Sequence, residues 1–446
     1  MRRKLIIAAI ILSLLLLSFF GWLQYRQYSS WKIPVHKDIH SVLKINTDDI
    51  IKSFISEYGI NFSKKIGKKD PTAKASVNTG IYYPGNIFIY NISSKLPTTF
   101  FCSLPVHDLD DFKNFAATRF HISWTDSAQL SVGRSRDGKL NLLCNNSFIS
   151  LAYSFQKEET LADLQQILNG SDKLYQYTDI SRLLKKEKGA VSALVGSSLL
   201  SLSLNGKELL LELSSDHFEW SGSKTVENPL QPTGFDSSLF TESYINFFPS
   251  SSLFKPVYAV KDISIESDSI LSYYQGFAAL DIGAPVQASD TSIGYDYDDN
   301  FEKVERKTIT SISVPGLHLY ISAKPGMMNY LQRSGIVTEN FKLNKALFPL
   351  YPVSTYSDSQ FLHFTTGNAN PSTARTFTAS PHFLNLDMDV QKTLHAVGIN
   401  YLDGYLKNFR NIQFKGKRNG TALIVQGSAS FKNAALRDII DLAKSL

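Results

Sequence analysis

The feature that most constrains this chain is an uncharged, apolar run close to its N-terminus. Residues 5–23 are 19 consecutive residues without a charged side chain. As a helix they would be roughly 28 Å long, which is about the thickness of the hydrocarbon core of a bilayer. Basic residues at 2–4 precede the run, and Trp22 and Tyr25 lie at its far end, where aromatic rings favour the membrane interface. The sequence therefore predicts a transmembrane signal-anchor helix at 5–25.

A cleaved signal peptide and a buried helix are the alternatives. The apolar part of a signal peptide usually has about 7–15 residues and is followed by small residues at a cleavage site. Here the run is longer and ends in Phe-Phe-Gly-Trp-Leu at 19–23. We therefore favour an uncleaved anchor in the cytoplasmic (inner) membrane. Residues 1–4 would form a cytoplasmic tip, and the bulk of the chain would be extracytoplasmic, in the periplasm.

The formal charge of +6 is largely explained by the same segment. The four basic residues that flank the apolar run account for most of it, and the rest of the chain has 42 basic and 40 acidic residues. These charges are mixed along the chain, so they leave no basic patch for a nucleic acid. We expect contact with the membrane through the helix, and with other envelope proteins or glycans, but with no nucleic acid.

The two cysteines leave two alternatives open. In an oxidising compartment Cys102 and Cys144 could form a disulfide that closes a loop of about 42 residues, worth roughly 4 kcal/mol in the chain-entropy model. Two buried free thiols are the other alternative, because cysteine often behaves as a small core residue. A thiol count under denaturing, non-reducing conditions separates the two.

Turn signals and periodicity predict a mixture of antiparallel strands and helices. Asp-Gly at 137–138 and Asn-Gly at 205–206 and 419–420 each separate two apolar runs, as in two-residue β-hairpins. Apolar residues at helical spacing alternate with these hairpins. The predicted helices are 47–58, 108–120, 158–168, a short one that begins near 179, and 327–333.

The order of these elements predicts an α+β fold with two similar halves. We expect the first half at 31–220, a linker rich in proline, glycine and serine at 221–236, and the second half at 237–446. Each half would have an antiparallel sheet with packed helices, after the one N-terminal transmembrane helix. Ser-Phe-Gln-Lys at 154–157 and Ser-Phe-Lys-Asn at 430–433 each precede an amphipathic helix, which favours an internal duplication.

This layout resembles that of uncharacterised bacterial envelope proteins. The likeness lies in the short anchor, the Ile-Pro-Val entry at 33–35, the first helix at 48–58 and the strand–helix unit that ends after 430–433. Such proteins belong to domain-of-unknown-function families with two similar halves and are usually tethered to a membrane. The resemblance implies α+β domains and an envelope location, and it supplies no catalytic residues.

The sequence contains no phosphate-binding glycine loop, nucleophile elbow or zinc-protease motif. Two acidic groups are the best candidates for chemistry. Asp387 and Asp389 share one face of a strand, as paired glycosidase carboxylates can, while Asp296, Asp298 and Asp299 have the Asp-x-Asp pattern of a cation site. We favour an exposed strand for the first group and a solvated loop for the second. We therefore expect no catalytic, cofactor-binding or metal site.

The sequence thus favours a membrane-anchored envelope ectodomain that binds or scaffolds other components. The alternative is an envelope glycan hydrolase or transferase that uses the paired aspartates. A fold that places either acidic group in a deep cleft with opposing polar side chains would favour the enzyme.

Overall fold

The structure of the chain is a computed structural model that describes residues 18, 21–58, 78–127, 130–216, 222–234, 236, 238–297, 301–366, 375–399 and 402–445. Strand accounts for 46% of the described residues and helix for 24%. Nineteen of the described strands belong to one large antiparallel sheet. The predicted fold class, two similar α+β halves after a transmembrane helix, is therefore wrong, because the fold is dominated by its sheet.

The chain divides into two compact units, Met1–Gly206 and Lys207–Leu446, which we call unit 1 and unit 2. The described strands of unit 1 are β1 (Ile39–Asn46), β2 (Asn86–Ile92), β3 (Thr99–Pro105), β4 (Ile122–Asp126), β5 (Ser131–Ser135), β6 (Leu140–Cys144), β7 (Phe148–Ser154), β8 (Val191–Val195) and β9 (Ser198–Asn205). Its helices are a segment at 21–30, α1 (Thr47–Tyr58), α2 (Leu109–Phe120), α3 (Leu161–Asn169), α4 (Thr178–Lys186) and the 3-10 turn Leu174–Gln176.

The strands of unit 1 are antiparallel and lie in the order β9-β8-β1-β2-β3-β7-β6-β5-β4. Alternate residues of the central strands, such as Tyr90 and Phe101, face the main core of the unit and are fully buried. Leu164 of α3 and Leu184 of α4 pack into the same core. Each such side chain contributes about 1.5–3 kcal/mol when it is removed from water.

The helical segment at 21–30 is part of unit 1. Arg26 within it is buried and forms an ion pair with the buried Asp48, at 3.2 Å. The same guanidinium donates to the carbonyl oxygen of Pro84, and Trp31, directly after the helix, lies in the core. The chain therefore enters unit 1 as a packed helix.

The structure describes more strands in unit 2 than in unit 1. Those described are β10 (Glu208–Ser215), β11 (Lys224–Thr225), β12 (Leu230–Pro232), β13 (Thr241–Phe248), β14 (Val257–Val260), β15 (Ile263–Glu266), β16 (Tyr274–Tyr297), β17 (Lys303–Ala323), β18 (Ser354–Ser357), β19 (Phe361–Thr365), β20 (Phe377–Ala379), β21 (Leu384–Asp389), β22 (Phe409–Asn419) and β23 (Ala422–Phe431). Its helices are the 3-10 turn Ser251–Leu253, α5 (Ser267–Tyr273), α6 (Met327–Arg333), α7 (Val390–Val397), α8 (Asp403–Leu406) and α9 (Ala435–Ser445).

The main strands of unit 2 are also antiparallel, in the order β10-β23-β22-β21-β13-β16-β17-β19-β18. Helix α6 packs on the sheet through Met327 and Leu331. A separate aromatic cluster contains Tyr244, Phe277 and Phe361, with residues of β12 and β20 packed against it.

Several local predictions are confirmed. Helices are present at Thr47–Tyr58, Leu109–Phe120 and Met327–Arg333. The turn at 137–138 joins the paired strands β5 and β6, and that at 419–420 joins β22 and β23. The error in fold class arises mainly in β16 and β17, where glycine and proline hide one long hairpin.

Most of the predicted anchor at 5–25 lies outside the described residues. Among the helices that the structure does describe, none has both the length and the apolar character needed to cross a bilayer.

Candidate functional site

The hairpin of β16 and β17 is the most unusual element of unit 2. Its strands have 24 and 21 residues, and their register shifts between Tyr274 and Ala278 and again between Gly283 and Val286. Both shifts are irregularities of the β-bulge kind, and the second contains Pro285, a residue that strands tolerate at bulges. Beyond the second shift the two strands remain in regular register as far as the pair Tyr297 and Lys303.

We call residues 289–297 and 303–311 the outer arm. All side chains from Lys303 to Ser311 are exposed. Because successive side chains of a strand point to opposite faces, both faces of β17 are open to solvent there. A two-stranded ribbon without a packed face is marginally stable in water. The outer arm therefore has the character of a surface that gains stability when something covers it.

Exposed apolar side chains lie on this ribbon and at its end. Phe301 is 86% exposed, Ile309 73% and Tyr295 61%. Phe301 also has a φ of 61°, in the left-handed region that bulky residues seldom adopt. These rings and branched chains are exposed to solvent and are not part of the core.

The inner part of the same hairpin carries a polar row across the sheet. In the strand register Asp281 of β16 lies directly opposite Glu242 of β13 on one side and His318 of β17 on the other. Paired residues of adjacent antiparallel strands point to the same face. Glu242 is in turn opposite Asp387 of β21, so three carboxylates and an imidazole form one row.

Arg375 bridges two of these carboxylates. Its Nη1 donates to Glu242 Oε2 at 3.1 Å and to the two Asp281 oxygens at 3.2 and 3.3 Å. Its Nη2 donates to the same Glu242 oxygen at 3.1 Å and to the carbonyl oxygen of Gly234 at 2.8 Å. One guanidinium therefore serves two carboxylates, and Glu242 has the shorter hydrogen bonds.

Burial raises the pKa of Asp281 in spite of its hydrogen bonds to Arg375. Burial raises the pKa of its carboxyl to about 6 against the opposing effect of Arg375, and the nearby charges of Glu242 and Asp236 raise it further. For Arg375, burial acts to lower the pKa, but the two carboxylates raise it above its ordinary value. Asp281 therefore takes up a proton at a higher pH than an ordinary aspartate does, because its charged form is costly to bury.

Two histidines form a second network beside this one. His363 Nε2 lies 2.9 Å from Asp358 Oδ2, and His318 Nε2 lies 3.1 Å from His363 Nδ1. Asp358 ends this chain of hydrogen bonds in a turn, where it also accepts from the backbone N–H groups of Gln360 and Phe361. Burial acts to raise the pKa of Asp358, but these hydrogen bonds hold it below its ordinary value. Because the Asp358 carboxylate accepts a hydrogen bond, His363 has its proton on Nε2, and its Nδ1 is an acceptor.

Each imidazole is stacked on a tyrosine. His318 lies on Tyr320 with ring centroids 4.0 Å apart, and His363 lies on Tyr356 at 4.2 Å. Burial, followed by the neighbouring His363, lowers the pKa of His318 to about 4. Since a general base works best with a pKa near the operating pH, this imidazole is a poor base at neutral pH. The arrangement is better suited to ordering the sheet than to catalysis.

The paired aspartates of β21 both make contacts that stabilise the fold. Asp387 accepts from the side-chain amides of Asn411 and Gln413, at 3.2 and 3.1 Å. Asp389 caps helix α7 by accepting from the backbone N–H of Lys392, and it also forms an ion pair with that side chain. Asp387 thus joins the polar row through its register with Glu242, whereas Asp389 serves the helix.

The second acidic candidate lies at the end of the arm. Asp296 is exposed and pairs with Arg306 across the hairpin at 3.3 Å. Asp298 and Asp299 lie outside the described residues. In the part of the chain that the structure describes, no group of three or more histidine, cysteine or acidic side chains is placed to hold a metal ion.

Cys102 and Cys144 are both buried, and both are free thiols in the structure. Cys102 lies on β3 and Cys144 on β6. Burial raises the pKa of each thiol to about 12. Neither thiol therefore has the character of a reactive nucleophile.

Sequence reasoning did not identify Arg375, Asp281 or the two histidines as a group. His318 and His363 are isolated in sequence among apolar neighbours, and Arg375 is far from both carboxylates that it binds. The available signal was weak: each histidine sits in an alternating strand pattern at a position where apolar side chains are expected.

Comparison with family profiles gives no match, and comparison with curated proteins gives none either. Among solved structures the chain is similar to TP0453 in several crystal forms. Crystal form I matches with 12% identity and a TM-score of 0.26, over 42% of this chain and 77% of TP0453. Crystal form III matches with 9% identity and a TM-score of 0.23, over 74% and 90% of the two chains. At such values the likeness supports no inference about this protein.

Proposed function

We propose that this protein is a membrane-anchored envelope protein whose folded part binds other macromolecules and does not catalyse a reaction. The observation that carries the proposal is the outer arm, a ribbon with exposed faces and exposed apolar side chains. Exposed strand edges offer unpaired backbone groups to another chain, and exposed aromatic side chains offer contact area. The location follows the apolar run at 5–23 and the resemblance to envelope proteins of unknown function.

The contacts of the helical segment at 21–30 support a retained anchor. Arg26 and Trp31 are built into unit 1. A helix that crosses the membrane at 5–25 would therefore continue directly into folded protein. Washing membranes with carbonate tests this part of the proposal. We expect the full-length chain in the pellet, and release of a full-length or shortened soluble form would contradict an uncleaved anchor.

The binding role is tested by site-specific photo-crosslinking in cells. A photoreactive amino acid replaces Ile309 in the outer arm, and Leu350 of the same unit is the matched control because the two side chains are 73% and 70% exposed. We expect ultraviolet light to give discrete crosslinked species from position 309 and none from position 350. Equal or absent crosslinking at the two positions would contradict a binding role for the arm.

The alternative function is an envelope glycan hydrolase or transferase. One observation favours keeping it: Asp387, Glu242 and Asp281 share one row of the sheet. A glycosidase needs one carboxyl that is protonated at working pH, and the raised pKa of Asp281 supplies one. Purified protein incubated with isolated envelope glycan tests this alternative, which requires soluble fragments that Asp281→Asn and Glu242→Gln both abolish.

A further inference from the structure

The charges of residues 302–306, where β17 begins, make this edge of the hairpin complementary to itself. We infer that this edge pairs antiparallel with the same edge of a second copy of this chain, around a two-fold axis at Val304. The inference rests on the proposed binding function and names its partner. In the described part of the chain, residues 303–311 have a neighbouring strand on one side only, namely β16.

The register around Val304 places four charged residues opposite their complements. In an antiparallel pair centred there, residue 302 faces 306 of the second copy and residue 303 faces 305. Glu302 then meets Arg306, and Lys303 meets Glu305, each of them twice because of the symmetry. Opposite charges on directly opposed residues stabilise paired strands, and like charges destabilise them.

The other edge of the hairpin lacks this property. Between Ser289 and Tyr297 the charged residues of β16 are Asp290 and Asp296, both acidic. Pairing of β16 with its own copy would add negative charges without positive ones to offset them. The charge pattern therefore favours a closed dimer through β17 over an open-ended stack of ribbons.

The contacts that these side chains make within one copy are weak enough to be exchanged. Lys303 Nζ lies 4.0 Å from the centre of the Tyr295 ring, Lys307 and Glu305 are 3.7 Å apart, and Arg306 pairs with Asp296 at 3.3 Å. These side chains are solvent-exposed, and exposed pairs contribute little. Pairing with a second copy would replace them with cross-strand pairs and would turn a two-stranded ribbon into a four-stranded sheet.

A charge-swap experiment on the full-length chain in detergent tests the pairing. Variant P carries Glu302→Lys and Glu305→Lys, and variant N carries Lys303→Glu and Arg306→Glu. Each variant alone opposes like charges, so we expect its self-association, measured by analytical ultracentrifugation, to be at least tenfold weaker than that of wild type. A mixture of P and N restores all four opposite pairs and should restore association. Recovery in the mixture also shows that both variants fold.

A disulfide test fixes the register. Val304→Cys places two thiols on the proposed axis, where directly opposed strand residues have Cα atoms about 4.5–5.5 Å apart, a distance that a disulfide spans. Thr310→Cys is the control, because its two copies would lie roughly 40 Å apart along the paired strands. We expect mild oxidation of membranes to give a covalent dimer with Val304→Cys only. The native thiols are buried and should not contribute.

The outcomes separate this inference from the proposed function. If P and N associate as well alone as together, or if Val304→Cys and Thr310→Cys crosslink equally, the pairing is wrong. If position 309 crosslinks in cells to a different protein while the wild-type chain sediments as a monomer, the binding function stands and the second copy is not its partner. If position 309 captures nothing and the chain is monomeric, both are wrong.

Discussion

Asp281→Asn should remove one specific part of the pH dependence of stability. The carboxyl is only 6% exposed, and it has a pKa of about 6 in the folded chain against an ordinary value of 3.8. Below 3.8 it is protonated in both the folded and unfolded states, and above about 6 it is ionised in both. Because the folded state holds the proton more tightly, the stabilisation is complete at low pH and is lost as the pH rises through 6.

The size of the effect follows from the two pKa values. A rise from 3.8 to about 6 corresponds to about 3 kcal/mol of unfolding free energy between the two limits. Asparagine has the same shape and still offers one oxygen to Arg375, but it does not titrate. Relative to Asp281→Asn, the wild type should therefore lose most of this stabilisation, about 2.4 kcal/mol, between pH 4 and pH 7.

The assay is a urea titration of the full-length chain at pH 4, 5, 6 and 7. Unfolding of unit 2 is monitored by limited proteolysis. The signal is the release of peptides from β13 and β16, so unit 1 does not contribute. Groups that titrate in both proteins, including His318, cancel in the difference between wild type and variant. Glu242→Gln is a second comparison: it removes the adjacent negative charge, so it should lower the pKa of Asp281 and move the transition to lower pH.

A flat difference between wild type and Asp281→Asn from pH 4 to pH 7 would refute the reasoning. It would mean that Arg375 neutralises Asp281 fully in spite of burial and of the competing Glu242. A difference of the opposite sign would mean that the ion pair outweighs desolvation, so that the pKa of Asp281 lies below its ordinary value.

Three further predictions concern other buried groups. Arg375→Leu leaves buried carboxylates without their cation and should destabilise unit 2 by about 3–5 kcal/mol in urea unfolding, while the added change Asp281→Leu should recover part of that loss. Lys44→Met removes the donor to two carbonyl oxygens at the end of α4 and should lower the free energy of unfolding by about 1–3 kcal/mol. Burial lowers the pKa of Lys44 to about 8. In urea unfolding, the stability of the wild type relative to this variant should therefore grow as the pH rises from 8 to 10.5. Cys102 and Cys144 should react with a thiol reagent only after unfolding and should then give two thiols per chain; a count of zero without reductant would show a disulfide.

The parts of the fold that sequence predicts are those with local causes. The helix at Leu109–Phe120 begins after Asp108, whose side chain accepts from the backbone N–H of Asp111, and this capping chemistry is readable from the residues alone. The turn at 137–138 is likewise set by its own Asp-Gly pair. Such signals act over a few residues, so long-range contacts do not blur them.

The long hairpin was hidden because its sequence contains strand-breaking residues. Gly283, Pro285 and Pro315 argue against a central strand when they are considered singly. In the structure they lie at or beside the register shift that ends at Val286, where an irregular ladder tolerates them. Whether a proline interrupts a strand or sits at a bulge depends on the opposite strand, which a local pattern does not contain.

The polar network was unpredictable for a related reason. Arg375 is 94 residues from Asp281 and 133 from Glu242 along the chain, and nothing near it marks a partner. The two histidines are 45 residues apart and meet only because the register of β17 and β19 brings their rings together. A sequence pattern can place each residue on a strand face, but it leaves the register that makes them neighbours undetermined.

Which polar groups have hydrogen-bond partners bears on the choice between binding and catalysis. The carboxylates of the polar row and its neighbour in unit 2 all have partners: Asp389 caps a helix, Asp387 is held by amides, and Asp281 and Glu242 share one guanidinium. An enzyme instead leaves polar groups directed at the substrate and keeps their geometry at some loss of stability. The outer arm differs, because its apolar side chains are exposed to water. In the inferred pairing, the charges at 302–306 would be matched by those of a second copy. This difference supports the proposed binding role, which crosslinking at position 309 tests.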